Sequence, residues 1–121
     1  MWNFRNVLAW KRAVELSKVI YDVTKGFPDD ERYGLVSQIR RAIVSVSSNI
    51  AEGCGRRTSK DFVSFMYNAI GSIKEVESEL FVAEKLGYVE MEDVENLIRE
   101  LEEIGRMLSG MINRENGRGI K

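Results

Sequence analysis

Residues 37–62 read SQIRRAIVSVSSNIAEGCGRRTSKDF, and the spacing in this stretch decides the fold. Ile39, Ala42, Ile43, Val46, Ile50 and Ala51, with Leu35 just upstream, recur at intervals of three and four residues. That period belongs to a helix with one buried face, whereas a half-buried strand alternates. Gly53 closes the run and Gly55 keeps the following turn loose. Thr58, with Asp61 three residues on, has the form of a capping box with Asp in place of the usual Glu, and it opens another helix at Ser59. One stretch thus holds most of a helix, a turn and the start of a second helix.

The same period extends in both directions. A first helix is predicted from Val7 to Lys25, with Trp10, Ala13, Val14, Ser17, Ile20, Tyr21 and Thr24 on its inner face. Gly26 suits its C′ position, Phe27 packs back, and Pro28 forbids continuation. The second helix is expected to begin near Asp30 or Glu31, acids suited to the positive end of a helix dipole, and to end at Glu52. The third runs from Ser59 to Leu86 on Phe62, Phe65, Met66, Ala69, Ile70, Ile73, Val76, Leu80 and Ala83, and Gly87 stops it. The fourth runs from Glu90 to Asn113 on Val94, Leu97, Ile98, Leu101, Ile104, Leu108, Met111 and Ile112. Residues 1–113 then form one domain, and 114–121, with Gly117 and Gly119, read as a frayed tail. Four amphipathic helices joined by short loops bury their stripes most simply as an all-α, antiparallel up-and-down four-helix bundle.

Composition narrows function. The 121 residues are 44% apolar and 31% charged, which fits one folded domain. Charges at Arg5, Lys11, Arg12 and Glu15 interrupt the amino-terminal segment, and no apolar run reaches the roughly 18 residues of a membrane span. The single cysteine forms no internal disulfide. A cytoplasmic protein with no membrane association is expected. The absence of histidine removes the commonest general base, the Ser-His and Cys-His nucleophile pairs and every histidine-containing metal site, including the Glu-x-x-His di-metal centres of bundles. Cys54 sits at a helix carboxyl end, where the dipole opposes a thiolate, and reads as a small turn residue despite Arg56 and Arg57 nearby. Glu90, Glu92, Asp93 and Glu95 at the start of the fourth helix answer its dipole. No catalytic residue, metal or cofactor is predicted.

Charge is segregated along the chain. From Arg32 to Lys60 six basic residues face Glu52 alone, whereas from Lys74 to Ile104 three basic residues face eleven acids. Arg40, Arg41, Arg56, Arg57 and Lys60 are therefore the candidate nucleic-acid or anion-binding residues, because guanidinium groups grip phosphate in pairs of bonds and release counterions. A pI of about 5.6 lacks the global excess of such binders. The alternative is that these arginines meet the acidic helices of their own bundle or of a neighbouring subunit. Glu77 falls inside the apolar arc of the third helix and requires a partner there, for which Arg40 is the candidate. Val44, Tyr67 and Phe81 lie outside the core stripes and are the candidate homo-oligomer interface.

The segments LAWKRAVELSKVIYDVTKGFP (8–28), ERYGLVSQIRRAIVSVSSNIAEGCGRR (31–57), TSKDFVSFMYNAIGSIKEVESEL (58–80) and EKLGYV (84–89) together resemble the four-helix-bundle family of proteins encoded by intervening sequences of bacterial 23S ribosomal RNA genes. The resemblance spans about residues 7–112. It implies a small non-enzymatic bundle with relatives that form ring-like homopentamers. A more distant relative is the accessory protein of diversity-generating retroelements, so the implied partners are further copies of the chain, RNA or DNA, and a ribonucleoprotein or reverse-transcriptase-like protein. The family commonly has proline in the middle of the second helix, where this chain has Ser47. A straighter helix is expected from that difference, with consequences for the angle between subunits. Two functions thus follow: a nucleic-acid or ribonucleoprotein accessory factor, and a protein-interaction scaffold whose arginines make inter-subunit ion pairs.

Overall fold

A computed structural model of the chain describes residues 2–119, with side chains to 117. Its elements are α1 (Leu8–Thr24), α2 (Leu35–Cys54), α3 (Ser59–Lys85) and α4 (Met91–Gly119), with single 3-10 turns at Phe4–Asn6 and Asp29–Glu31. Among the described residues each helix packs on the next, α4 closes against α1, and the backbones of the diagonal pairs do not approach closely. This is the antiparallel up-and-down four-helix bundle that the periodicity predicts. Its axis carries a continuous core in which Ile20, Ile39, Ile43, Ile50, Met66, Ile73, Leu80, Leu101, Ile104 and Leu108 are fully enclosed.

The faces of α2, α3 and α4 match the sequence reading closely, and that of α1 does not. Ala9, Ala13, Leu16, Ile20 and Thr24 point inward, whereas Val14 and Tyr21 are 41% and 38% exposed. Apolar residues occupy more than one side of α1, so periodicity alone leaves its rotation open. The side carrying Leu16 turns inward, and beside it Arg12 donates to Glu103 at 2.7 Å and to Glu100 at 3.0 Å across the α1–α4 seam. The opposite flank of α1, with Tyr21, remains at the surface.

Three boundaries also shift. α2 begins at Leu35, not at Asp30 or Glu31, because the acids wind into the separate 3-10 turn and the chain breaks at Gly34. Glu31 then serves two ends at once: one carboxylate oxygen accepts from the backbone N–H of Leu35 at 3.1 Å and the other from the Tyr88 hydroxyl at 2.9 Å. That bond pushes the Tyr88 phenol above its ordinary range. α2 also runs through Gly53 to Cys54. A Cβ on Gly53 would lie 2.6 Å from Met66 Cε and 2.8 Å from Phe65 Cβ, so this glycine permits the close approach of α2 to α3 and does not end the helix. α4 continues past Asn113 through residues that sequence reading assigned to the tail, with Ser59 donating to Glu115 at 2.8 Å. Ile120 and Lys121 of that segment lie outside the described residues.

The α3–α4 turn follows the sequence reading. Gly87 has φ of +82°, where a side chain would be strained. Tyr88 N–H bonds the Ala83 carbonyl, in the pattern of a Schellman cap. At position 47 the serine hydroxyl bonds back to the Val44 carbonyl at 3.0 Å, and α2 is continuous through it.

Candidate nucleic-acid interface

The five predicted cations fall into two groups. Arg40 lies on α2 and Arg56 just past its Gly55 cap, so roughly 20 Å or more of helix separates them at about 1.5 Å per residue.

Arg40 is committed to its own subunit. Its Nε donates to Thr24 Oγ1 at 2.9 Å and a terminal nitrogen donates to the Tyr21 carbonyl at 3.1 Å, while the guanidinium lies 4.5 Å over the Tyr21 ring. It therefore closes the carboxyl end of α1, where a cation also answers the dipole. Arg41 donates to Ser37 Oγ at 3.3 Å and is otherwise exposed. Both line an open groove of about 560 Å³ over the outer side of α2, with Tyr21, Tyr33, Val44 and Ser48. Tyr33 is 88% exposed there and Val44 41%. Tyr67 and Phe81, at 57% and 47% exposure, lie on α3 two heptads apart and so share a different face.

The pairing expected between Arg40 and Glu77 is not present. Glu77 is 13% exposed and accepts from Lys74 on its own helix at 3.2 Å, while its other oxygen is buried without a hydrogen bond. The seam to α2 is instead bridged by Ser45 and Ser72, hydroxyl to hydroxyl at 2.6 Å. Arg40→Ala is expected to cost about 1–2 kcal/mol through the lost bonds to α1. In a double-mutant cycle with Glu77→Ala, thermal denaturation should show additive effects.

Two residues on, burial and then the neighbouring charge of Glu75 raise the Glu79 carboxyl to about 7. A carboxyl that holds its proton more tightly when folded stabilises the fold below the unfolded value near 4.5, and that contribution is lost as pH rises through about 7. Glu79→Gln should therefore raise stability at pH 8, by roughly 1 kcal/mol after solvent screening, and have little effect at pH 4. Melting curves at the two pH values check this.

At the opposite end of the bundle, Arg56 donates to Glu52 at 3.2 Å and stacks 4.5 Å over Phe65. Arg57 and Lys60 are exposed and make no ion pair among the described residues. Beside them Thr58 accepts from the Asp61 backbone N–H at 3.1 Å and so caps α3. Antiparallel packing brings the starts of α1 and α3 together with the end of α4, so Arg5, Arg106 and Arg114 join this pole. The other pole collects Asp29, Asp30, Glu31, Glu84, Glu90, Glu92 and Asp93 against Lys25, Arg32 and Lys85. The charge segregation seen along the sequence becomes an axial polarity of the folded bundle.

Cys54 is 1% exposed, and burial raises its thiol pKa. It is a core residue at the last position of α2, not a turn residue. Among the described residues no group of three or more acidic or thiol side chains converges in a way that would hold a metal, and no helix is long and apolar enough to cross a membrane.

Residues 5–110 match the family described as 23S rRNA-intervening sequence protein. The chain belongs to that family. Among solved structures it is similar to a protein of unknown function from the S23 ribosomal protein family of Bacteroides thetaiotaomicron, with a TM-score of 0.77 at 21% identity over 87% of this chain and 98% of that one. At that identity the likeness is one of fold. No curated protein matches, and neither the family nor the structural neighbour indicates an enzymatic class.

Within this intervening-sequence family member, sequence reading missed Trp2, Arg106 and Arg114. The Trp2 ring stacks on Phe62 at 5.6 Å with planes 8° apart. Arg106, Gly110 and Arg114 follow one another at four-residue steps along one side of α4, a spacing visible in the sequence. Their importance appears only when antiparallel closure sets them against the amino-terminal segment.

Proposed function

We propose that this 23S rRNA-intervening sequence protein is a non-enzymatic, cytoplasmic nucleic-acid accessory factor that works as a homo-oligomer, a pentameric ring being the assembly that the family resemblance implies. A ribonucleoprotein or a reverse-transcriptase-like protein is its natural companion. The observation that carries the reading is the basic pole, where Arg5, Arg57, Lys60, Arg106 and Arg114 make no ion pair among the described residues. Guanidinium and ammonium groups gathered at one end favour a polyanion, whose counterions they release.

A second reading is a protein-interaction scaffold without a nucleic-acid role. The acidic pole and the exposed Val44, Tyr67 and Phe81 support it, since basic and acidic ends and apolar side faces also suit contacts between subunits. Native mass spectrometry of protein purified from its own cells reports subunit number and bound nucleic acid together. The accessory-factor reading expects an oligomer carrying RNA or DNA that is shed as salt rises from about 50 to 200 mM. An oligomer free of nucleic acid at low salt, dissociating as salt rises, supports the scaffold instead.

A further inference from the structure

The basic pole also contains an apolar recess. Between the amino-terminal segment and α4 lies a groove of about 570 Å³, lined by Trp2, Val7, Leu8, Met107 and Met111, with Arg106 and Arg114 at its cationic side. Its size falls in the roughly 300–1,000 Å³ range of small-ligand sites. Leu8 is 58% exposed and, with Trp2, Met107 and Met111, gives the groove a contiguous apolar wall. Neither arginine makes a hydrogen bond or ion pair among the described residues, and Glu103, which interacts electrostatically with Arg106, is already bonded to Arg12 at 2.7 Å. Asn3 and Asn6 add amide groups at the rim. Trp2 borders this groove and also the smaller recess formed with Arg56, Arg57 and Ser59, so one aromatic residue joins the two sets of arginines.

The geometry points to a site for an unpaired nucleotide of a single strand, its base against Trp2, Leu8 and Met107 and its phosphate on Arg106 and Arg114. A cationic track interleaved with an aromatic surface is how single strands are held without sequence readout, because every base has a stacking face and every link a phosphate. Duplex has its bases paired and stacked within and cannot offer one to the groove. The assignment rests on the accessory-factor reading and adds to it strand state and location.

The test uses full-length protein, a fluorescein-labelled oligouridylate of twelve residues and a blunt RNA duplex of similar charge, followed by anisotropy at about 50 mM salt. Single-strand binding is expected to be tighter than duplex binding by roughly tenfold or more. Gly110→Leu places bulk in the groove from a position where a Cβ meets only Arg114 at 3.6 Å, and it favours the helix. It should abolish the preference while leaving the melting temperature unchanged or higher. Arg106→Gln with Arg114→Gln should weaken the single strand more than the duplex. Decyl phosphate, an anion with an apolar tail and no base, serves as competitor. Equal affinity for both RNAs, or a preference that survives Gly110→Leu, overturns the site and leaves the accessory-factor reading standing. Displacement of the oligonucleotide by decyl phosphate at lower concentration than by uridine monophosphate overturns the base as occupant. Absence of binding to either RNA, and to an oligodeoxythymidylate and a duplex DNA of the same lengths, overturns both.

Discussion

Gly53→Val is expected to destabilise the bundle by about 3 kcal/mol, and Gly71→Ala to stabilise it by roughly 0.5–1 kcal/mol, although both replace a glycine inside a helix. The difference lies across the seam. At Gly53 the added carbon meets Met66 Cε at 2.6 Å and Phe65 Cβ at 2.8 Å. The methionine methyl can swing away, but Phe65 Cβ is fixed to the α3 backbone, so relief requires α2 and α3 to move apart. Such a shift disturbs Ile50, Phe62 and Met66, which pack in the same layer of the core. At Gly71 nothing lies within 4 Å, and the added methyl contributes only the better helix propensity of alanine. Gly53→Ala should fall between, with its propensity gain partly offsetting the clash. Thermal unfolding of the three variants gives the order directly: a valine at 53 that melts within a degree or two of the parent would mean that α2 and α3 do not approach as described.

Gly53 also shows where sequence reading stops. The glycine that opens GCGRR has the form of a helix stop, and the stop does arrive two residues later, at Gly55. The sequence cannot separate a glycine needed for backbone freedom from one needed for room, because the second depends on which residues a neighbouring helix presents. Bundle class, helix number and the inner faces of α2, α3 and α4 were legible because each is a local period repeated over many turns. The rotation of α1 was not, since Leu16 and Val14 both fit an apolar stripe and the choice is made by closure against α4.

The candidate site divides in the same way. Residue type picked out the arginines, yet type says nothing of commitment. Arg40 looked like a partner for Glu77 or for phosphate, and it is occupied by Thr24 and Tyr21, two residues of α1 reached only through the fold. Arg12, read in the sequence only as a charge that interrupts the amino-terminal segment, makes two bonds across the seam from α1 to α4. Two stretches of opposite charge in the sequence gave no sign that antiparallel packing would carry Arg106 and Arg114 from the acidic half of the chain to the basic pole.

Commitment separates the cations in solution as well. Replacing Arg57 and Lys60 together by alanine is expected to weaken RNA binding roughly 10–100-fold at about 100 mM salt, as two charge-assisted phosphate contacts are lost. The slope of log affinity against log salt should fall by about 1.4, at roughly 0.7 per contact on a single strand. Neither side chain makes an ion pair among the described residues, so the melting temperature should hold within a degree or two. Arg40→Ala has the opposite signature: lower stability from the loss of its bonds to α1, and an unchanged salt slope because its donors already face Tyr21 and Thr24. Arg56→Ala should fall between, since Arg56 is shared with Glu52 at 3.2 Å and its plane rests on Phe65. If the accessory factor holds its polyanion by the basic pole, salt slope and melting temperature will respond to different arginines. A slope that fell equally for Arg40 and for the Arg57 and Lys60 pair would place the contact along α2 and not at its end.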